Sequence, residues 1–456
     1  MLQSASWGGR IGGQYRPGRK QRLPPHVKHQ KSLELYQRAK RSHAGGVSSD
    51  GRDKPLPIFY DYGKGSRLFD VDGNEYIDYN LARGPLVFGH SPAFLLENVT
   101  RRMQRGQMFA GMHELEITVS EKVQSMVPCA ELVRFASSGS EAAQAALRVA
   151  RGYTGRSKFV KFEGFFHGWL DSVKFRHAET PMGAEGPYVH PVPVPESGGM
   201  SPSVANDIIV IPFNDVAVLR KAVEHNKDDL AAIIVDPGRD SMLPPYEYMA
   251  EMRRLCDEHG IVLIFDEVIT GFRVAPGGAQ ELLGVTPDLA IFAKALGGGF
   301  PVSALAGRRG VMSVMEDGTV HHGGTANANM MSMAAAEASL NKLTESDGAA
   351  YRQLHSTTER LAEGLRGLAS KHEFDIVLQW LTGTLFMVFS NDPDVTEVRD
   401  YRTGQRVTDV EKGSTFNLGM MERGVRWGYG FVSTAHTEED IEQTLAAADD
   451  TFASMR

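Results

Sequence analysis

The chain has 456 residues, 42% hydrophobic and 23% charged, with a formal net charge of -7. That balance suits a globular chain of about two or three cooperating domains and excludes the basic surface of a nucleic-acid binder. Cys129 and Cys256 are too few for a disulfide framework or a thiolate zinc site, which suits a reducing, cytoplasmic compartment, and no run of about 18 apolar residues is available to span a membrane.

Residues 1–43 read as an arm. Arg10, Arg16, Arg19, Lys20, Arg22 and Lys28 precede the first acid, Glu34, with no apolar signal core. This excludes a secretory signal and leaves an organelle transit peptide or a flexible, partner-wrapping segment. The stretch from Arg67 to Tyr79, "RLFDVDGNEYIDY", alternates apolar and polar residues around Asp72 and Gly73 and predicts a β-hairpin with a tight turn. From about Gly84 the pattern changes. Short apolar runs, "LVRFASSG", "KFVKFEG", "DIIVIPF", "LAAIIVDPG", "IVLIFDEV" and "LAIFAKAL", alternate with helical stretches such as Val216 to His225 and Tyr248 to His259. Runs apolar on both faces and separated by helices predict a parallel sheet covered on both sides. "FASSGSEAAQAALRVAR" reads as the end of a strand, a Ser/Gly turn and an Ala-rich helix, with Gly152 as its expected end. From about Met330 the chain turns helical, passes through strand-like "TGTLFMVFS", and closes on a helix from Glu438. The expected architecture is α/β: a large domain over 84–330 with a mostly parallel sheet, and a smaller α+β domain from 44–83 and 331–456.

In such sheets ligands bind beyond the carboxyl ends of the strands. After "FASSG", Ser138 with Glu141 fits a capping box, so the N–H groups at Gly139 and Ser140 either face an anion or begin an ordinary capped helix. Neither a nucleotide P-loop nor a G-x-G-x-x-G turn is present. "VLIFDEVITGF" ends a buried strand on Asp266, costly unless something cationic meets it; a turn cap, or a metal held with Glu267, are the alternatives. "FEGFFHGW" brings Phe165, Phe166, His167 and Trp169 to a strand end, a platform for a flat ring, with Glu163 and His167, or His321 and His322, as metal alternatives. "IFAKALGGGFPV" sets Lys294 among apolar residues and glycines, where it either snorkels beside a tight turn or does chemistry. An anion seat, a carboxylate, an aromatic platform and an isolated lysine together match pyridoxal phosphate, which has a phosphate, a protonated ring nitrogen, a flat ring and an aldehyde that a lysine captures.

At these residues the chain resembles the class III, fold-type I pyridoxal-phosphate aminotransferases, above all their glutamate-1-semialdehyde aminomutase-like branch. The resemblance runs from "AGGVSSDGR" (Ala44 to Arg52) to "STAHTEEDIEQTL" (Ser433 to Leu445), and the pair "DEVITGFR" and "AKALGGGFPV" carries it. It implies that Lys294 bonds the cofactor, that Asp266 pairs with its ring nitrogen, that Phe166 and Val268 sandwich the ring, and that Ser138, Gly139 and Ser140 hold the phosphate. "HHGGTANAN" implies a homodimer in which Thr325 reaches the partner's site. Arg52 matches an arginine that binds a substrate carboxylate in the aminomutases. The branch's pattern is broken at "LARGP", which places Arg83 at the expected site entrance, at "VDPGRDSMLPP", with Arg239 and Asp240, and at "WGYGFVS". The expected activity is transfer of an amino group from an amine or a β/ω-amino acid to a keto acid such as pyruvate. The alternative is glutamate-1-semialdehyde 2,1-aminomutase. A pyridoxal-phosphate domain in a transcription regulator would need an N-terminal helix-turn-helix, for which the residues before Ala44 are too few and too rich in Gly and Pro.

Overall fold

The computed structural model describes residues 28–175, 188 and 191–456. Its centre is a seven-stranded sheet of β4 (Leu132–Ala136), β5 (Lys158–Phe162), β6 (Ile208–Ile211), β7 (Leu230–Val235), β8 (Val262–Asp266), β9 (Leu289–Phe292) and β10 (Ser303–Gly307). They lie in the order β4-β10-β9-β8-β7-β5-β6. Only β10 runs antiparallel to its neighbours, β4 and β9. Along β7 the side chains divide as the pleat requires: Ala232 and Ile234 join one apolar layer, Ile233 and Val235 the other. All six residues of β7 are buried, which explains why this stretch is apolar throughout rather than alternating.

One layer is the Ala-rich helix α4 (Gly139–Thr154), whose small residues let it lie close against Ile234, Ile264 and Ile291. The opposite layer packs Val235, Phe265 and Phe292 against side chains that include Leu95 and Val119, from helices α2 (Ala93–Met103) and α3 (Glu114–Met126). It also holds Met249 and Met252 of α6 (Tyr246–His259), which follows α5 (Val216–Asn226). The expected end of α4 at Gly152 is wrong. The helix runs on to a left-handed cap at Gly155 (φ 68°), and Gly152 is glycine for packing, since a Cβ there would meet Val320 Cγ2 at 2.4 Å.

The hairpin at Asp72–Gly73 joins β2 (Arg67–Asp70) to β3 (Glu75–Asp78), in a second sheet of order β1-β2-β3-β13 with β1 (Tyr60–Lys64) and β13 (Val425–Arg426). Strands β11 (Ile376–Leu381) and β12 (Thr384–Phe389) pair separately, and the chain closes on helix Glu438–Ser454. Part of the expected arm is structured. Residues Gln30–Ala39 form helix α1, pinned to the hairpin because Asp72 accepts from the backbone N–H groups of Lys31 (2.7 Å) and Ser32 (2.9 Å). Arg10, Arg16, Arg19, Lys20 and Arg22 lie outside the described residues. Among the described residues no helix is long and apolar enough to cross a membrane.

Candidate active site

The expected site residues converge at the carboxyl edge of the parallel strands. Asp266 ends β8, and the β8–β9 register pairs it with Ile291, so Lys294 follows three positions on, just past β9. Lys294 has left-handed backbone (φ 41°), a conformation a bulky side chain holds only where its surroundings over-determine it. Burial pushes its amine down from the ordinary 10.5 to about 8; the carboxylates of Asp266 and Asp236 oppose the shift, and the guanidinium groups of Arg273 and Arg83 reinforce it. A lysine in that range is neutral often enough near neutrality to act as nucleophile and base.

Asp266 Oδ1 accepts from the Val268 N–H at 3.1 Å, and Oδ2 lies 2.7 Å from His167 Nδ1. A carboxylate can only accept, so the shared proton sits on Nδ1. Burial holds the fully buried His167 below its ordinary value, against the pull of Asp266, which favours the neutral ring, and among the described residues Nε2 has no hydrogen-bond partner. His167 thus orients Asp266, in the way an imidazole and a carboxylate fix one another in other catalytic pairs.

The anion seat lies alongside. Ser138 caps α4, its Oγ accepting from the Glu141 N–H at 3.3 Å, while Glu141 Oε2 accepts from the Ser137 N–H at 2.9 Å. A Cβ on Gly139 would lie 3.2 Å from Val268 Cγ2 and 3.8 Å from Ala293 Cβ, so the helix start abuts the residues on either side of the lysine and carboxylate. Gly168, at φ 110°, lets the aromatic loop approach Ser140, where a Cβ would come within 2.6 Å of Oγ. Phe166 stands on this loop, half exposed, with Lys174 Nζ 5.6 Å from its ring centroid. The loop is anchored from below by Lys161, fully buried on β5, which donates to the carbonyls of Phe165 (2.8 Å), Val173 (3.1 Å) and Phe175 (2.5 Å).

The two arginines expected to bind substrate are placed differently. Arg83 reaches Lys294 electrostatically, donates to the Asp50 carbonyl at 3.2 Å and lies 5.9 Å over the Tyr429 ring. Arg52 is exposed and lines a depression with Tyr36, His43, Asp53 and Phe59. It is not paired with its flanking acids: Asp53 accepts from Tyr36 Oη at 2.8 Å. Thr325 is exposed on a turn.

The metal alternatives find no support in the partners these groups have. Glu267 accepts from the backbone of Ala279 and Gln280 and from Thr270 Oγ1, and Glu163 is held by Arg402 through bonds of 2.8 and 2.9 Å. Among the described residues no cluster of three His, Cys, Asp or Glu is arranged for a metal ion.

Two site residues escaped the sequence reading. Asp236 ends β7 beside Asp266, because the register pairs Val235 with Phe265. Burial, with the neighbouring Asp266 charge, pushes its carboxyl up to about 7, while the Gly238 N–H, Arg239 and Lys294 pull the other way. The signal was there: "AAIIVD" ends an apolar run on an acid just as "VLIFD" does. Arg273, fully buried, carried no such signal.

The donor set fits pyridoxal phosphate: free helix N–H groups for a phosphate, an oriented carboxylate for the ring nitrogen, and a lysine of lowered basicity. Comparison with known proteins agrees. The aminotransferase class-III family model matches residues 48–406. The glutamate-1-semialdehyde 2,1-aminomutase of Methanocaldococcus jannaschii is 39% identical over 439 residues, covering 94% of this chain and 99% of the relative. Among solved structures, an omega-transaminase from Sphaerobacter thermophilus superposes with a TM-score of 0.86 at 31% identity, over 92% of this chain and 97% of its own. A transaminase with PLP bound follows at a TM-score of 0.84 and 28% identity, over 94% and 98%. The match over most of the chain, joined to an end-to-end relative at 39% identity, places the protein in the class-III family of pyridoxal-phosphate-dependent aminotransferases.

Proposed function

We propose that the protein moves an amino group from an amine or a β/ω-amino acid to a keto acid, releasing the carbonyl product between the two halves of the reaction. The supporting observation is Arg83, an exposed cation on the Leu81–Gly84 turn whose charge is felt at Lys294 and which suits a donor or acceptor carrying a carboxylate away from the reacting carbon. When bound, pyridoxal phosphate supplies an aldehyde that exchanges one amine for another and a ring that withdraws electrons. The chain's own residues do the rest. Lys294 takes and returns the proton at the amine-bearing carbon, Asp266 holds a proton on the ring nitrogen, and His167 keeps Asp266 aimed. Ser138, Gly139 and Ser140 seat the phosphate, Phe166 and Val268 cover the ring faces, and Arg52 is an additional carboxylate contact from its loop.

The second reading is glutamate-1-semialdehyde 2,1-aminomutase, in which the amine returns to a neighbouring carbon of the same molecule. The 39% identity to a relative of that name favours it more than the 31% identity to the omega-transaminase favours the first. An amine-donor panel with pyruvate, run beside glutamate-1-semialdehyde without any keto acid, separates them. Transfer to pyruvate is the expected result; rapid formation of 5-aminolevulinate with negligible transfer to pyruvate would replace the first reading by the second. In the same panel Arg52→Ala should raise KM for an amino-acid donor more than for a simple amine, whereas equal effects would return Arg52 to the surface.

The protein is proposed to act as a homodimer in the cytoplasm, with Thr325 completing the partner's phosphate site. Met108, Phe109, Met112 and Ile117 are 48%, 46%, 94% and 60% exposed, an apolar patch of the kind that partners cover. The patch adjoins the Thr325 turn: Met330 N–H donates to the Gln107 carbonyl at 3.2 Å, and His113 Nε2 lies 2.8 Å from the Ala328 carbonyl. Sedimentation velocity should show a dimer that Met112→Glu weakens. An active wild-type monomer at assay concentration would contradict the shared site.

The lowered basicity of Lys294 has its own consequence. Capture of pyridoxal phosphate by the apoenzyme needs the neutral amine, so its rate should rise with pH and level off near the lysine value of about 8. A rise continuing to the ordinary value of 10.5 would show that Lys294 is not desolvated.

A further inference from the structure

Arg273 has no exposed surface, and among the described residues no carboxylate pairs with it. Its partners are backbone carbonyls from three distant segments. Nη1 donates to Gly383 at 3.0 Å and to Val432 at 3.2 Å, and Nη2 donates to Gly84. Its guanidinium also lies 5.1 Å from the centroid of the Phe431 ring. An unpaired buried cation is a poor way to gain stability, because an apolar side chain of similar volume avoids its desolvation. Burial indeed draws its pKa down to about 10. The planar fork, however, aims separate N–H groups at carbonyls of three distant segments in one fixed geometry, which an apolar residue cannot do and the rotatable point charge of a lysine does not reproduce.

What it holds is an unusual turn. Leu81 (φ 44°), Ala82 (φ 56°) and Arg83 (φ 67°) are consecutive left-handed residues, and the Gly84 carbonyl bonded to Arg273 closes the run. Such a run persists only where neighbours over-determine it. On the near side it is tied by Asp78, whose Oδ2 accepts from the Leu81 N–H at 3.2 Å, and by Asn80, whose Oδ1 accepts from the Arg83 N–H at 3.1 Å. On the far side Arg273 joins it to Val432 and Gly383, and Tyr429, under the Arg83 guanidinium, belongs to the same "WGYGFVS" segment as Val432. One side chain therefore fixes both the turn that projects Arg83 and the strand of chain that carries its aromatic rest.

We propose that Arg273 is a positioning residue that locks the Leu81–Gly84 turn, fixes where Arg83 projects, and so sets selectivity for substrates that carry a carboxylate. This rests on the role given to Arg83 above, and the test separates the two. The holoenzyme and its Arg83→Ala, Arg273→Lys, Arg273→Gln and doubly substituted Arg83→Ala/Arg273→Gln forms are assayed with β-phenylalanine and with α-methylbenzylamine, a matched pair differing in the carboxylate, and pyruvate as acceptor. Hydrogen exchange at the amides of residues 81–84 is followed in the same proteins. Each Arg273 variant should lose at least tenfold more kcat/KM on β-phenylalanine than on α-methylbenzylamine, through KM. Exchange in the turn should quicken at least tenfold. The double variant should be no more selective in its loss than Arg83→Ala alone, because both act through one contact. Arg273→Lys, which keeps the charge without the fork, should not rescue, and it serves if Arg273→Gln does not fold. Unchanged exchange in the turn, or equal losses on both donors in the Arg273 variants while Arg83→Ala is selective, overturns the role of Arg273 alone. Equal losses in Arg83→Ala itself, or no turnover of either donor by the wild type, overturns the role of Arg83 and the selectivity drawn from it.

Discussion

Lys294→Ala is expected to lower turnover by roughly four orders of magnitude or more, since one side chain is both the cofactor's covalent partner and the base at the reacting carbon. The structure explains why no neighbour takes over. The groups that bear on Lys294 are the carboxyls of Asp266 and Asp236 and the guanidinium groups of Arg273 and Arg83, none of which can also form the covalent bond to the cofactor's aldehyde that the lysine forms. His167 lies beside Asp266, to which its Nδ1 donates at 2.7 Å, and its remaining lone pair on Nε2 is buried. Single-turnover kinetics of the variant loaded with cofactor would measure the loss. A residual rate within tenfold of wild type would show that another base does the proton transfer.

Asp266→Asn is expected to retain the cofactor and to slow turnover by about 3 to 4 kcal/mol in the barrier, a factor of roughly 10² to 10³, as for other preorganised charges removed from a buried site. An amide cannot hold the ring-nitrogen proton. It would also offer His167 Nδ1 either a donor or a weaker acceptor, so the tautomer that the carboxylate enforces is lost as well. The variant's phosphate contacts, on the α4 side, should survive, so cofactor dissociation should change far less than kcat. A near-wild-type rate would make Asp266 a structural cap for Val268, whose N–H it accepts at 3.1 Å.

The parts of the molecule that were legible in the sequence share a physical cause. Strands β7, β8 and β9 were recognisable because a strand buried on both faces must be apolar almost throughout, and Asp266 and Lys294 stood out as charges at or just past the ends of such runs. β10 was missed because "SALAG" is short and built of small residues that signal neither strand nor helix, although each of them is buried. β11 was missed because Gln379 and Trp380 break its pattern; the structure buries Gln379 and lets it donate to the Asp240 carbonyl at 2.9 Å. Gly152 and Gly155 could not be ranked as helix ends from sequence, since the choice depends on Val320, far along the chain. Arg273 stood in the "DEVITGFR" stretch, but its role was hidden for the same reason: its partners at residues 84, 383 and 432 come together only in the fold. Arg52, which family resemblance placed at the substrate, lines a depression with Tyr36 and Asp53, and Arg83, noticed as a departure, is with Arg273 one of two arginines whose charge is felt at the lysine.

The central claim is that Lys294, at the end of β9 and opposite Asp266, is where pyridoxal phosphate is bound and the amino group exchanged. Borohydride reduction of the purified holoenzyme, followed by proteolysis and mass spectrometry, tests it directly. The expected result is a single pyridoxyl adduct on Lys294, lost when the enzyme is first converted to its amine-loaded form with donor. An adduct on a different lysine, or a label on Lys294 that donor does not remove, would contradict the account.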